Sequence, residues 1–184
     1  MSAADEFCLS QIKQNYGGSI KLRSGVKAIR YRLHNKAGML ALVSDLNGYI
    51  RNPIRIVQYT RICELYGITV INPLTITRDN GWFVGFWDAD GTITLNASSN
   101  YQLSISVSNK YPDILYPYKE FFGGYIYPDR GKYPSFKWYI TDKDSILSFV
   151  DYFNQFPPYS VKRNRVFLIT EYYRLKSLKA HSEP

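Results

Sequence analysis

Apolar and polar positions alternate with period two over "IRYRLHN" (29–35) and again over "FKWYITD" (136–142). That pattern predicts strands with one face on a core and the other toward solvent. Ile29, Tyr31 and Leu33, or Phe136, Trp138 and Ile140, would face inward, and Arg30 and Arg32, or Lys137 and Tyr139, outward. Tyr31 and Tyr139 fit either face, so the register around them stays open. Each stretch stands in the same grammar. An apolar helix end runs into a glycine pair, Gly17-Gly18 or Gly123-Gly124, and two strands follow. An Asn/Asp-Lys start then opens an amphipathic helix, "KAGMLALVSDLNG" or "DKDSILSFVDYFNQF". A basic turn, "RNPIR" or "VKRNR", leads to a last helix, "IVQYTRICELYG" or "VFLITEYYRLKSL".

The chain is thus a tandem repeat, its glycine pairs 106 residues apart and its helix starts Lys36 and Lys143 107 apart, one insertion between them. Pro73 and the breaker Asp79-Asn80-Gly81 mark a connecting segment. The boundaries read as a first repeat over 1–70, a linker over 71–81 and a second repeat over 82–184. The second repeat has a preface that the first lacks. Residues 82–91 predict a helix, and "TITLNASSNYQLSISVSNK" predicts two strands. The first repeat begins after the place where its own preface would stand.

Composition adds a partner class. The 184 residues carry a net charge of +8 with 15 acidic residues, a surplus that suits a polyanion, because Lys and Arg on one face displace counterions from phosphates. Seventeen tyrosines and ten phenylalanines fill a sheet-rich core or stack on bases. Cys8 and Cys63 read as free thiols, and with His34 and His181 they show no metal-ligand spacing. No apolar run approaches the roughly 18 residues of a membrane span. The opening "MSAADEF" has no basic or apolar targeting pattern, so a cleaved leader is expected to be absent or already removed.

The stretch "WFVGFWDADG" (82–91) ends an aromatic run on two aspartates. One reading is a helix closing in a solvated acidic turn. The other starts from Gly85, small enough among Phe83, Val84, Phe86 and Trp87 for a second helix to approach closely. A carboxylate at a helix C-terminus opposes the dipole by a few tenths to about 1 kcal/mol, and two such ends repel. A shared divalent cation relieves both.

These residues carry a resemblance. "FVGFWDADG" (83–91) resembles the motif of LAGLIDADG homing endonucleases and group I intron maturases, and the flanking segments look like the mitochondrial intron-encoded two-copy members. The resemblance covers nearly the whole chain. It implies an α+β fold of tandem αββαββα repeats, the first truncated at its N-terminus, with antiparallel sheets forming a saddle over DNA. By the resemblance, Asp90 is the metal-binding acidic residue, and Asp88 a second metal position or a helix-end residue. Gly85 and Gly91 are packing and turn glycines, with Phe83, Phe86 and Trp87 beside them on the motif helix. Asn109 falls near the attacking water and Lys162 near an assisting lysine. Arg51, Arg55, Lys162, Arg163 and Arg165 in the basic turns are expected on phosphates, joined by Arg30, Arg32 and Lys137 from the strands.

Cleavage in this family resembles two-metal hydrolysis with Mg²⁺ between two motif aspartates. One Asp90 makes half of that site, and Phe83, Phe86 and Trp87 would lie uncovered until a protein or RNA partner packs on 82–91. Four functions follow as expectations. The first is an RNA binder unable to cleave alone, an intron maturase or an organellar ribosome component. The second is a Mg²⁺-dependent, site-specific DNA endonuclease completed by dimerisation or a partner motif. The others are a protein-interaction module using the same helix and a relic without function. The family setting implies a mitochondrial location.

Overall fold

The computed structural model describes residues 1–130 and 134–180; His181 lies outside them. The chain divides into two compact units, Met1–Thr75 and Ile76–Pro184. The divide falls within the segment read as a linker.

In the second unit, helix α4 (Trp82–Asp90) leads into strands β3 (Gly91–Asn96) and β4 (Gln102–Asn109). Helix α5 (Tyr116–Phe122), strands β5 (Tyr125–Asp129) and β6 (Ser135–Ile140), and helix α6 (Lys143–Gln155) follow. Two further helices, α7 (Arg163–Val166) and α8 (Leu168–Ser177), replace the single last helix predicted from sequence. The four strands form one antiparallel sheet in the order β3-β4-β6-β5. Alternation divides its faces as the sequence predicts: Ile105, Val107, Trp138 and Ile140 are buried, while Lys137 and Tyr139 point to the other side.

Helix α4 supplies the centre of this core. Phe83 and Trp87, one helical turn apart, are both fully buried. The Phe83 ring meets Tyr118 edge-on at 5.0 Å and Phe122 at 5.2 Å, and Trp87 lies 4.7 Å from Phe153. Two tyrosine hydroxyls lace the helix backbone: Tyr118 donates to the Phe83 carbonyl at 2.5 Å and Tyr152 to the Asn80 carbonyl at 2.6 Å. Burial pushes the Tyr118 phenol well above its ordinary pKa and Tyr152 up to about 12. The uncovered patch expected at Phe83, Phe86 and Trp87 is therefore corrected. Phe83 and Trp87 pack under their own unit and Phe86 is half-buried, so the edge that α4 leaves open is Gly81, Gly85 and Ala89. The physical reason is angular: positions four apart share a helix face, and 83/87 is the inward one.

The first unit repeats the later part of this plan. Helix α1 (Glu6–Tyr16), strands β1 (Ser19–Leu22) and β2 (Ile29–Arg32), and helices α2 (Lys36–Leu46) and α3 (Pro53–Tyr66) correspond to α5 through α8. The correspondence extends to single torsions. Gly17 has φ 77° and ψ −151°, Gly123 φ 72° and ψ −153°, values open only to glycine. A Cβ on Gly18 would run into the Arg32 carbonyl, and one on Gly124 into the Tyr139 carbonyl. The Tyr31 hydroxyl donates to the Gly17 carbonyl at 2.7 Å, and the Trp138 indole N–H donates to Gly123 at 2.8 Å. Asn35 caps α2 through the Gly38 amide, as Asp142 caps α6 through Ser145. The cores differ in depth: among the described residues the first unit has no helix in the role of α4. Ile12 is 37% exposed where its counterpart Tyr118 is fully buried.

Candidate nucleic-acid interface

The outward face of the two-stranded sheet is cationic. Its register sets Lys21 directly opposite Arg30, and Ser19 opposite Arg32. Like charges facing across a rung cost a fraction of a kcal/mol. No carboxylate pairs with any of these cations among the described residues. With Arg23 they line a pocket of about 260 Å³. Arg30 and Arg32 lie where the sequence placed them. Lys21 was missed, although "SIKL" carries the same period-two signal as the strand beside it.

The outward face of the four-stranded sheet has a different chemistry. Tyr125, Tyr127 and Tyr139 cluster there, with ring centroids 5.9 and 5.2 Å from Tyr139. Lys137 sits between Tyr127 and Ser108 in register, and Thr92, Thr94 and Ser104 continue the face with hydroxyls, while Ser106 on the same side is buried. Partial burial, then the Asp129 charge, hold the Tyr127 phenol above its usual pKa. The sequence signal for Tyr125 and Tyr127 is weak because "YIYPD" is only five residues long and carries a proline at its fourth position.

At the C-terminal end of α4 the two aspartates separate in role. The Asp88 carboxylate accepts from the Tyr159 amide at 2.8 Å, the Ser160 amide at 2.9 Å and the Ser160 hydroxyl. It anchors the turn before α7, which fits the helix-end role expected as the alternative to a metal position. Asp90 is exposed, and its carboxylate makes no hydrogen bond among the described residues. The Lys162 ammonium donates to the Asp88 carbonyl at 2.7 Å and the Ala89 carbonyl at 3.2 Å. It caps the helix and meets the negative end of its dipole, a contribution of about 0.3–2 kcal/mol. Asn109 lies two residues beyond Val107, the partner of Gly91, and its amide oxygen accepts from the Tyr111 amide at 3.0 Å. Gly91 is buried because any Cβ there would enter the Trp87 indole. Register and hydrogen bonds thus bring Asp90, Lys162 and Asn109 to one end of α4.

The basic turns divide. Arg163 and Arg165 are exposed, the former 5.3 Å over the Phe167 ring. Arg55 is exposed and donates to Gln58 at 2.7 Å. Arg51 is different, since its guanidinium donates to the carbonyls of Tyr49 and Leu74. Desolvation lowers its pKa. The phosphate role expected for Arg51 gives way to holding the end of the first unit together. Arg51→Ala is expected to lower that unit's stability by about 2 kcal/mol, read from a urea melt, while the salt dependence of nucleic-acid binding stays unchanged.

A divalent cation needs several oxygen ligands. Among the described residues no three His, Cys, Asp or Glu side chains cluster, and the α4 tip offers only Asp88, already hydrogen-bonded, and Asp90. These residues do not by themselves fit the expected Mg²⁺. No described helix is long and apolar enough to cross a membrane.

Residues 83–173 match the model of the LAGLIDADG endonuclease family. The chain is 48% identical to the intron-encoded RNA maturase bI4 of Saccharomyces cerevisiae, over 98% of this chain and 29% of that protein. It is 42% identical to the probable intron-encoded endonuclease aI2 of Debaryomyces hansenii, over 96% of this chain and again 29% of that one. This chain therefore spans under a third of the length of these two relatives. Identity to the intron-encoded DNA endonuclease ai2b of Dictyostelium discoideum is 33%, over 97% of this chain and 70% of that protein. Among solved structures, the meganuclease I-SmaMI bound to uncleaveable DNA superposes with a TM-score of 0.75 at 17% identity, covering 98% of this chain and 79% of that one.

Proposed function

From the premise that this chain belongs to the LAGLIDADG endonuclease family, we propose that it binds structured RNA through its two outward strand faces and does not cleave nucleic acid on its own. The observation that carries the reading is the Lys21–Arg30 rung with Arg32 beside it, a repulsive arrangement that a row of phosphates relieves. The tyrosines of the second unit favour RNA over a DNA groove. Unpaired bases stack on aromatic faces, and Tyr125, 68% exposed, offers one beside Tyr127 and Tyr139. Similarity to an RNA maturase supports the same choice, and the intron-encoded relatives support a mitochondrial setting.

In this mechanism Arg30, Arg32 and Lys21 set the position of the RNA by charge. The tyrosines and Lys137 hold splayed bases, and Ser104 and Thr94 offer hydroxyls to sugars and base edges. Asp90 supplies one of the two motif carboxylates that the family resemblance implies for hydrolysis, which supports binding rather than cleavage by this chain.

A second reading, a DNA endonuclease completed by another motif helix, draws on the open Gly81–Gly85–Ala89 edge of α4. Nothing lies within 4 Å of a Cβ built on Gly85, so a second helix could approach there at backbone distance. One experiment decides. The purified chain with Mg²⁺ is expected to leave duplex DNA uncut while retarding a structured intron RNA in a gel-shift assay. Site-specific cuts abolished by Asp90→Ala would overturn the first reading in favour of the second.

A further inference from the structure

A groove runs between α8 and the β3–β4 hairpin, away from both the outward strand face and the α4 tip. It encloses about 350 Å³ between Leu95 and Tyr101 of the hairpin and Leu168, Tyr172 and Leu175 of the helix. Leu168 is 63% exposed and Leu95 55%, large apolar side chains on which nothing in this chain packs fully. Leu168, Tyr172 and Leu175 follow an i, i+4, i+7 spacing, the ridge that receives another helix.

The hairpin wall is held in place against a local cost. Asn100 and Tyr101 both have positive φ, 52° and 51°, a region that a bulky side chain rarely enters. Helix α8 fixes this conformation. The Tyr172 hydroxyl donates to the Tyr101 carbonyl at 2.8 Å and accepts from the Leu103 amide at 3.3 Å. The Lys176 ammonium donates to the Asn100 carbonyl at 3.3 Å. The outcome of this clamp is that Tyr101 is presented to the groove.

Charge identifies the occupant. Arg165 and Lys176 flank the apolar floor, and no carboxylate pairs with them among the described residues. The acidic residue on the rim, Glu171, is already taken by a two-pronged bond from Arg174 at 2.7 and 2.8 Å. A second copy of this chain would bring the same cations to the same floor, so self-pairing is opposed. RNA would satisfy the cations and leave the leucines without a partner. We propose that this groove docks an amphipathic helix of a partner protein, one with leucine-type residues on its inner face and carboxylates along its flanks.

The test uses two fluorescein-labelled helical peptides with the same leucine stripe, one flanked by glutamates and one by lysines. In fluorescence anisotropy the acidic peptide is expected to bind the full chain at least tenfold more tightly than the basic one. Leu168→Asp is expected to lower that affinity about tenfold without changing the affinity for the intron RNA. Tyr101→Gly removes the ring and suits the backbone, so it should fold at least as well as the parent and still bind the peptide more weakly. Equal binding of both peptides, or none, would overturn the proposal. So would a loss of RNA affinity in Leu168→Asp, which assigns the groove to RNA. A dimer in sedimentation that Leu168→Asp dissolves would assign it to a second copy.

Discussion

Trp87→Ala is expected to unfold the Ile76–Pro184 unit or bring it to the edge of unfolding. The side chain is fully buried, packs at a tilt against Phe153 with ring centroids 4.7 Å apart and fills the space that Gly91 leaves. Emptying such a site costs about 3–5 kcal/mol, against a total stability of about 5–15 kcal/mol for a domain. The indole N–H has no hydrogen-bond partner among the described residues, so packing, with the Lys162 ammonium 5.6 Å from the ring centroid, accounts for the effect. Trp87→Phe should therefore cost much less than Trp87→Ala, because it keeps an aromatic ring and removes an unmet donor. Guanidinium melts of the two variants measure the difference. A small loss in the alanine variant would mean that α4 is not the centre of this core.

The second large effect concerns binding. Arg30→Glu with Arg32→Glu is expected to weaken the affinity for structured RNA by at least 100-fold at about 0.1 M salt. It should also make the log–log salt slope shallower by about 1.4–1.8. Stability should move the other way. A glutamate opposite Lys21 turns a repulsive rung into an attractive one, worth about 0.2–1 kcal/mol. Weaker binding by a protein that melts no earlier separates an interface from a structural face. Unchanged affinity would remove the cationic sheet from the proposed interface.

Much of the fold is legible in the sequence because both repeats spell it in short-range signals. The glycine pairs mark positive φ, and Asn35 and Asp142 stand where helix caps belong. The period-two runs fix which side of β2 and β6 meets the core. What escapes is set by long-range contacts. No local pattern shows that Asp88 binds the turn at Tyr159 and Ser160, 71 and 72 residues away. Nor does one show that Arg51 reaches the Leu74 carbonyl. Both residues have the right type for a ligand site and are spent on backbone groups. The aromatic face of α4 misled for a related reason. Composition reveals how apolar the helix is, while only its rotation about its axis decides that Phe83 and Trp87 turn inward and Gly85 outward.

The bonds gathered at the end of α4 have a mechanical consequence. Asp88 holds the turn from one side and Lys162 grips the helix carbonyls from the other, so helix tip and turn form a single stiff hub. Arg163 and Arg165 project from that hub directly after its last clamp. Any tilt imposed on α4 by a neighbour seated on its glycine edge is levered out to these two guanidiniums.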